Sequence, residues 1–507
     1  MRKWLLVGIL ILAGALRLFA LDKYPVGFTP DEASFGYDAY SIIKTGADQW
    51  GHKFPLVLES FGDFKAPLYT YLTIPSVAIL GLTKFAVRLP NAILGTAAVF
   101  ITYLLANKLF GKKVGIVSAV LLAISPWHIS LSRGAFEANL TTFFLPLGVW
   151  LFLKKRYALS GIILGLNLFS YHSAKFVTPI LLIALIIYYK ESLKKAWPAL
   201  AGFGIFFILT VYTFAIGAGA RIGERSIANG ATEAAFSERV RSSTIFHNKY
   251  TVITKRFLES YITYLSPQFL FSQGANEGTY GMIPGRGVIY WFALPFLLFA
   301  FKKRNYFLLF WILISPVPAA LATGVGYSAN RVAVMMPALE IIFGVGAIEF
   351  FEVLKNKKIL LSGYSFVCLI SFVLFLEDYV VQLPYKIGRA MLSGNLEAAE
   401  WVSKNVRSDK KIIVDKSISE PHIYFAFAGK TDPKLYQEAS KNWKYETWVD
   451  QIPEYSLSNI TFKDMGKNDI NPGTVVIGRP DDFKFEVSTE NTFKYPSGET
   501  AIQIVGL

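Results

Sequence analysis

The chain has 507 residues, of which 53% are hydrophobic, 15% aromatic and only 17% charged, a balance too apolar for a soluble globular protein. Its formal net charge of +15 invites a nucleic-acid reading, but a basic excess confined to short loops between apolar segments is what membrane insertion with the positive side inward leaves behind. The single cysteine, Cys368, excludes an internal disulfide framework and the cysteine-based metal patterns.

The N-terminal stretch MRKWLLVGILILAGALRLFA has the basic start and apolar middle of a signal peptide. Arg17 interrupts it and no small-x-small site follows, so it is expected to persist as a first span. GFTPDEASFGYDAY (27–40) comes next and admits two readings. Thr29-Pro30-Asp31-Glu32 fits a capping box, with Thr29 as N-cap, Pro30 at the first helical position and Glu32 reaching back. It also fits a catalytic base displayed beside a membrane.

Apolar segments of roughly spanning length, about 17 to 25 residues, recur near 4–20, 88–107, 113–130, 138–153, 157–172, 175–189, 198–217, 286–301, 306–323, 332–352 and 359–376. A further candidate, 68–84, carries Pro75 and has almost no loop after it. If that segment does not cross, Arg2/Lys3, Lys108/Lys112/Lys113, Lys154/Lys155/Arg156, Lys190/Lys194/Lys195, Lys302/Lys303/Arg304 and Lys355/Lys357/Lys358 all fall on the inner side, as the positive-inside rule demands. Segment 68–84 is therefore expected on the outer face, interfacial or re-entrant. Loops 21–87 and 218–285 and the tail after about 378 then lie outside. The tail is more polar and reads as a small α/β domain, with strand-like KKIIVDK, HIYFAFAG and GTVVIGR and a helical NLEAAEWVSKNV.

Ionisable residues at the ends of apolar spans are expensive and become candidates for chemistry, although those near an interface can snorkel. Arg17 stays open between the two. Arg133 and Glu137, four apart in SPWHISLSRGAFEANL, fit a structural ion pair or a second acid facing the outer space. Lys65, Lys175 and Arg331 each fit a lipid-headgroup contact, and together they suit a phosphate tethered to lipid. His128 and His172, with Asp31, leave a divalent metal open.

In order, LRLFALDKYPVGFTPDEASFGYDA, FKAPLYTYL and the run through SPWHISLSRGAFEANL resemble the membrane glycosyltransferases of the GT-C superfamily. The likeness is to the group holding the dolichyl-phosphate-mannose protein mannosyltransferases and the bacterial aminoarabinose transferase, over roughly residues 10 to 190. It implies a polytopic α-helical membrane protein of about 11 transmembrane helices, residues 1–377, carrying a small extracytoplasmic α/β domain, 378–507. It also implies Asp31 as catalytic base with Glu32 as a supporting neighbour, Lys65 of Lys-Ala-Pro-Leu-Tyr on the lipid phosphate, and Glu137 after Ser132-Arg133 as second acid. Tyr171 and Lys175 correspond to a Tyr-x-x-x-Arg motif in which lysine replaces the bidentate arginine, and Arg331 to an arginine facing the donor phosphate; Arg133 and Tyr171 are expected to bind the phosphate-linked donor together with Lys65, Lys175 and Arg331.

The implied activity is transfer of a sugar from a polyprenyl-phosphate donor to an acceptor hydroxyl of a protein, lipid or glycan at the outer face of the cytoplasmic membrane, with inversion. The implied partners are the donor, that acceptor and the lipid bilayer, with no nucleic acid and no nucleotide. A transporter or flippase of lipid-linked sugars would use a similar cationic vestibule and is the alternative; it calls for polar or broken helices at the bilayer midplane.

Overall fold

The structure is a computed structural model. It describes residues 2–215, 226–227, 248–275, 277–300, 305–323, 328–445, 448–483 and 488–506. Much of loop 218–285 and the Lys302/Lys303/Arg304 cluster therefore lie outside the described residues. The chain divides into two compact units, Met1–Phe19 with Asn91–Asp378, and Ala20–Pro90 with Tyr379–Leu507.

The first unit is helical. Among the described residues, Lys84–Phe110, Leu193–Thr213 and Lys358–Ile387 are long and apolar enough to cross a membrane. Lys112–Ile124 and Pro126–Arg133 pass together as a pair bent by 56°. The bend has a local cause: Pro126 brings no N–H to the ladder, and the Ser125 hydroxyl instead accepts the His128 N–H at 3.4 Å. The other apolar segments of the sequence form helices shorter than a straight span, such as His172–Tyr188 and Tyr157–Asn167. Leu68–Leu80, in the second unit, has 13 residues and rises about 20 Å, short of the roughly 30 Å hydrocarbon core.

The second unit is built on a six-stranded sheet. Its strands are β3 (Lys411–Asp415), β4 (Glu454–Leu457), β5 (Ile460–Lys463), β6 (Thr474–Gly478), β7 (Thr489–Lys494) and β8 (Thr500–Val505), while β1 (Leu58–Glu59) and β2 (Phe64–Lys65) make a separate hairpin. The spatial order is β4-β5-β3-β6-β8-β7, with β5, β3 and β6 parallel and the flanking pairs antiparallel. KKIIVDK and GTVVIGR become β3 and β6, and NLEAAEWVSKNV becomes the helix Asn395–Asn405. HIYFAFAG does not form a strand; it lies in the helix Pro421–Ala428. Residues 421 to 427 are all buried, so no polar stripe marks the helical period, and the aromatic content imitates a strand.

The helix Pro30–Thr45 is likewise buried almost all round. This helix and the residue pair ahead of it meet the tail through Phe28 and Phe427 rings 5.2 Å apart and Tyr37 and Tyr436 rings 5.2 Å apart, and the Tyr37 hydroxyl donates to the Thr431 carbonyl at 2.9 Å. Gly27 makes the entry possible: its φ is +77°, and a Cβ there would stand 2.1 Å from the Met391 carbonyl oxygen. That carbonyl accepts the Phe28 N–H at 3.0 Å. Gly27→Ala is therefore expected to destabilise this unit by about 1–3 kcal/mol, read as a lowered midpoint in thermal unfolding of the purified protein.

Candidate active site

The helix carrying the two adjacent acids starts as its sequence dictates. Thr29 accepts the Glu32 N–H at 3.3 Å, and Glu32 accepts the Thr29 N–H at 3.2 Å, completing the capping box with Pro30 at the first position. Successive residues in a helical turn point about 100° apart, and Asp31 and Glu32 accordingly meet different surroundings. Glu32 is fully buried and forms a fork with Arg88, Nε to Oε1 at 2.7 Å and Nη2 to Oε2 at 2.9 Å. The remaining donors of Arg88 go to the carbonyls of Leu21, Pro25 and Gly27. All five of its N–H groups are used, and the loop ahead of the helix is tied to one planar cation.

Asp31 points the other way, its side chain 54% exposed, with Oδ1 2.6 Å from Lys65 Nζ. Lys65 is buried on β2, which pairs with β1 through Leu58↔Lys65. Its ammonium lies 4.9 Å from the Phe35 ring and 5.1 Å from the Phe61 ring, a cation–π seat that fixes the charge while Asp31 stays open to solvent. The expected base and the expected phosphate contact are thus brought together.

The other candidates belong to the first unit. Arg133 spends two donors on the carbonyls of Leu16 and Phe19, each at 2.6 Å, which caps the carbonyl end of the first helix. It and Glu137 do not share one helix: Gly134 is extended, and Glu137 opens the short 3₁₀ helix Glu137–Leu140, half-buried. Arg17 does not snorkel. It is fully buried, donating to the carbonyls of Ala13, Ala123 and Leu122 and meeting His128 Nδ1 at 2.6 Å. A guanidinium only donates, so Nδ1 accepts and Nε2 carries the proton toward Thr142 Oγ1 at 3.0 Å. Both ring nitrogens of His128 are thereby engaged.

Tyr171 and the turn before the helix Ala338–Leu354 come together, since Asn330 donates to the Tyr171 hydroxyl at 3.2 Å. In that turn Arg331 donates to the Thr323 carbonyl at 3.0 Å, and Ser328 donates to Glu277 at 2.6 Å. Burial pushes the Glu277 carboxyl above its ordinary value, against the Ser328 hydrogen bond and the Arg331 charge. Lys175, in the first turn of the helix His172–Tyr188, lies over the Phe214 ring at 5.4 Å. Among the described residues, no three His, Cys, Asp or Glu side chains are grouped to share a metal ion.

Residues 64–214 match the family model described as dolichyl-phosphate-mannose-protein mannosyltransferase. That range includes Lys65, Arg88, Arg133, Glu137, Tyr171 and Lys175 and leaves out Asp31 and Arg331. A stretch of 90 residues, 18% of the chain, is 31% identical to "Putative mannosyltransferase YkcB" of Bacillus subtilis, and the match spans 13% of that protein's length. ArnT from Cupriavidus metallidurans in the apo state superimposes with a TM-score of 0.57 over 99% of this chain and 98% of that one, at 11% identity. The same protein bound to undecaprenyl phosphate gives 0.56, with the same coverage, at 10% identity. The chain has the fold of that protein. The likeness drawn from KAPLY is thus repeated by the family model over residues 64–214, and the fold is shared along nearly the whole chain.

Arg88 is the site residue that sequence reasoning passed over. The available signal was a lone arginine in the apolar run FAVRLP, where a charge needs a partner. Arg88→Met is expected to destabilise the protein by about 3–5 kcal/mol, because it strands the buried Glu32 carboxylate. The double change Arg88→Met with Glu32→Leu is expected to cost less than the single one, as measured by denaturation of both variants.

Proposed function

We propose that the chain is an integral-membrane glycosyltransferase that moves a sugar from a polyprenyl-phosphate donor to an acceptor hydroxyl at the outer face of the cytoplasmic membrane, inverting the anomeric carbon. The observation that carries this reading is the Asp31–Lys65 pair, an exposed carboxylate 2.6 Å from a buried, ring-seated ammonium. The structural likeness to ArnT, known bound to undecaprenyl phosphate, supports a lipid-phosphate donor.

Residues 20–90 and 379–507 form one compact unit, which supports reading the loop holding Asp31 and the tail as lying on one side of the membrane. The basic loops between apolar segments favour the other side as cytoplasmic. In the reaction, the acceptor oxygen attacks the anomeric carbon from the face opposite the phosphate, its proton passes to Asp31, and the bond from carbon to phosphate oxygen breaks. The polyprenyl phosphate leaves with the bonding electrons, and Lys65 meets the charge that develops on it. The resemblance assigns donor-binding roles to Arg331, Lys175, Arg133 and Tyr171 and a second-acid role to Glu137, and Asn330 joins Tyr171 to the Arg331 turn.

Asp31→Asn is expected to lower transfer by at least about 100-fold while leaving the fold intact, since the side chain is exposed and Glu32 holds the cap. The check is sugar transfer by purified protein in liposomes supplied with polyprenyl-phosphate sugars and candidate acceptors. Full transfer by the variant would sink the assignment, and translocation without product would favour the flippase reading.

A further inference from the structure

The helix Lys112–Ile124 ends at the 56° bend, and the carbonyls of its last turn need donors from outside the helix. Arg17 answers Leu122 at 3.2 Å and Ala123 at 3.1 Å, and the Tyr290 hydroxyl answers Ile124 at 2.8 Å. The Ser125 N–H, which a continuing helix would direct to Leu121, turns to Leu122 at 3.3 Å, and Pro126 has no N–H. The break thus takes from the Leu121 carbonyl the donor that a continuing helix would supply.

Leu121, Ser125, Tyr290 and Glu340 line a small cavity beside the bend, with about 20 Å³ open to a water molecule. Glu340, on the helix Ala338–Leu354, is 4% exposed, and among the described residues neither of its carboxyl oxygens meets a donor from another residue. As the third residue of its helix it would ordinarily reach back to the N–H of the cap. The cap is Pro337, which has none. Among the described residues, no lysine, arginine or histidine lines the cavity, so an ionised Glu340 would be an unpaired charge in apolar surroundings, far more costly than a neutral acid. The neutral acid also brings an O–H donor. Ser125 brings a second one, since its oxygen accepts the His128 N–H and its hydrogen remains to be given.

We propose that this cavity is a binding site for one water molecule, held by an un-ionised Glu340. The water accepts from the Glu340 and Ser125 O–H groups and donates to the Leu121 carbonyl. One buried water needs about 10–15 Å³ and two to four polar partners; the cavity has the room, and these three residues supply the partners. Every carbonyl of the last turn before the bend then has a donor, and the helix Pro126–Arg133, which carries His128 and Arg133, leaves it at a fixed angle.

The test uses the full-length protein in liposomes near neutral pH as wild type, Glu340→Gln and Glu340→Leu. The infrared spectrum of the wild type is expected to carry a protonated-carboxyl C=O band that is missing in Glu340→Gln. It is also expected to carry a water O–H band that moves on exchange into heavy-oxygen water and is missing in Glu340→Leu. Loss of carboxylate bands in Glu340→Gln instead of the acid band would overturn the proposal, as would an acid band with no such water band in the wild type. Thermal unfolding gives a separate reading: Glu340→Gln, still a neutral donor, should keep the midpoint within about 2 °C, and Glu340→Leu should lower it by roughly 3–8 °C. A Glu340→Leu variant as stable as the wild type counts against the site. A wild-type midpoint that rises when sodium replaces choline at constant ionic strength also overturns the proposal, because the cavity then holds a monovalent cation against an ionised Glu340. If Glu340→Leu does not fold, the acid band in wild type and Glu340→Gln and the sodium comparison decide.

Discussion

The second unit depends on one buried ion pair. Arg88 and Glu32 are each fully buried, and a charge in such a place is tolerable only when every donor is answered. The guanidinium answers all five, joining the helix start to the carbonyls of Leu21, Pro25 and Gly27. Three backbone carbonyls and one carboxylate are satisfied at once by this planar cation, which restricts the chain leaving the first helix. Asp31 inherits that rigidity, because it sits one residue from the anchored acid.

A second set of buried polar groups fixes the other side of the same helix. Asp38 accepts the Gln49 N–H at 2.9 Å and the Ser34 hydroxyl at 3.3 Å, and Asp48 accepts the N–H groups of Trp50 and His52. Burial, then the charge of Asp48, push the Asp38 carboxyl up to about 8. Holding such groups inside costs stability; in return the partners are specific, and the loop after the helix can pack in only one way. The second unit is thus organised by hydrogen-bond geometry as much as by apolar area.

This balance explains what could be read from the sequence. Hydropathy located the apolar segments, and the capping box placed the start of Pro30–Thr45 correctly, because both signals are local. β3 and β6 were legible for the same reason. HIYFAFAG was not, since a helix buried on every side has no polar face to mark its period. Arg88 was hidden by distance: its partner Glu32 is 56 residues away, and nothing near FAVRLP reveals which acid it meets. Arg17 and Arg133 look alike in sequence, two arginines near span ends, yet both are spent on helix carbonyls, a use that only tertiary packing decides. The pairing of Asp31 with Lys65 was anticipated only as shared membership of one outer loop; the hairpin and the two rings that seat the lysine come from contacts no local pattern encodes.

With Asp31 as the proposed base, the two acids of the Asp-Glu step divide two tasks that one carboxylate could not perform together. A group that organises a loop must be buried and saturated with donors, which removes its capacity to take a proton from a substrate. A base must be reachable and must keep a lone pair free. Placing the two on consecutive residues of a first helical turn meets both needs with one anchor, since about 100° of rotation sends Glu32 inward to Arg88 and Asp31 outward to Lys65. The capping box adds a further economy: the Glu32 oxygen that accepts from Arg88 Nη2 also accepts the Thr29 N–H, so the helix start and the ion pair cannot be disturbed separately. A sequence that moved either acid by one position would lose the cap, the anchor or the exposure.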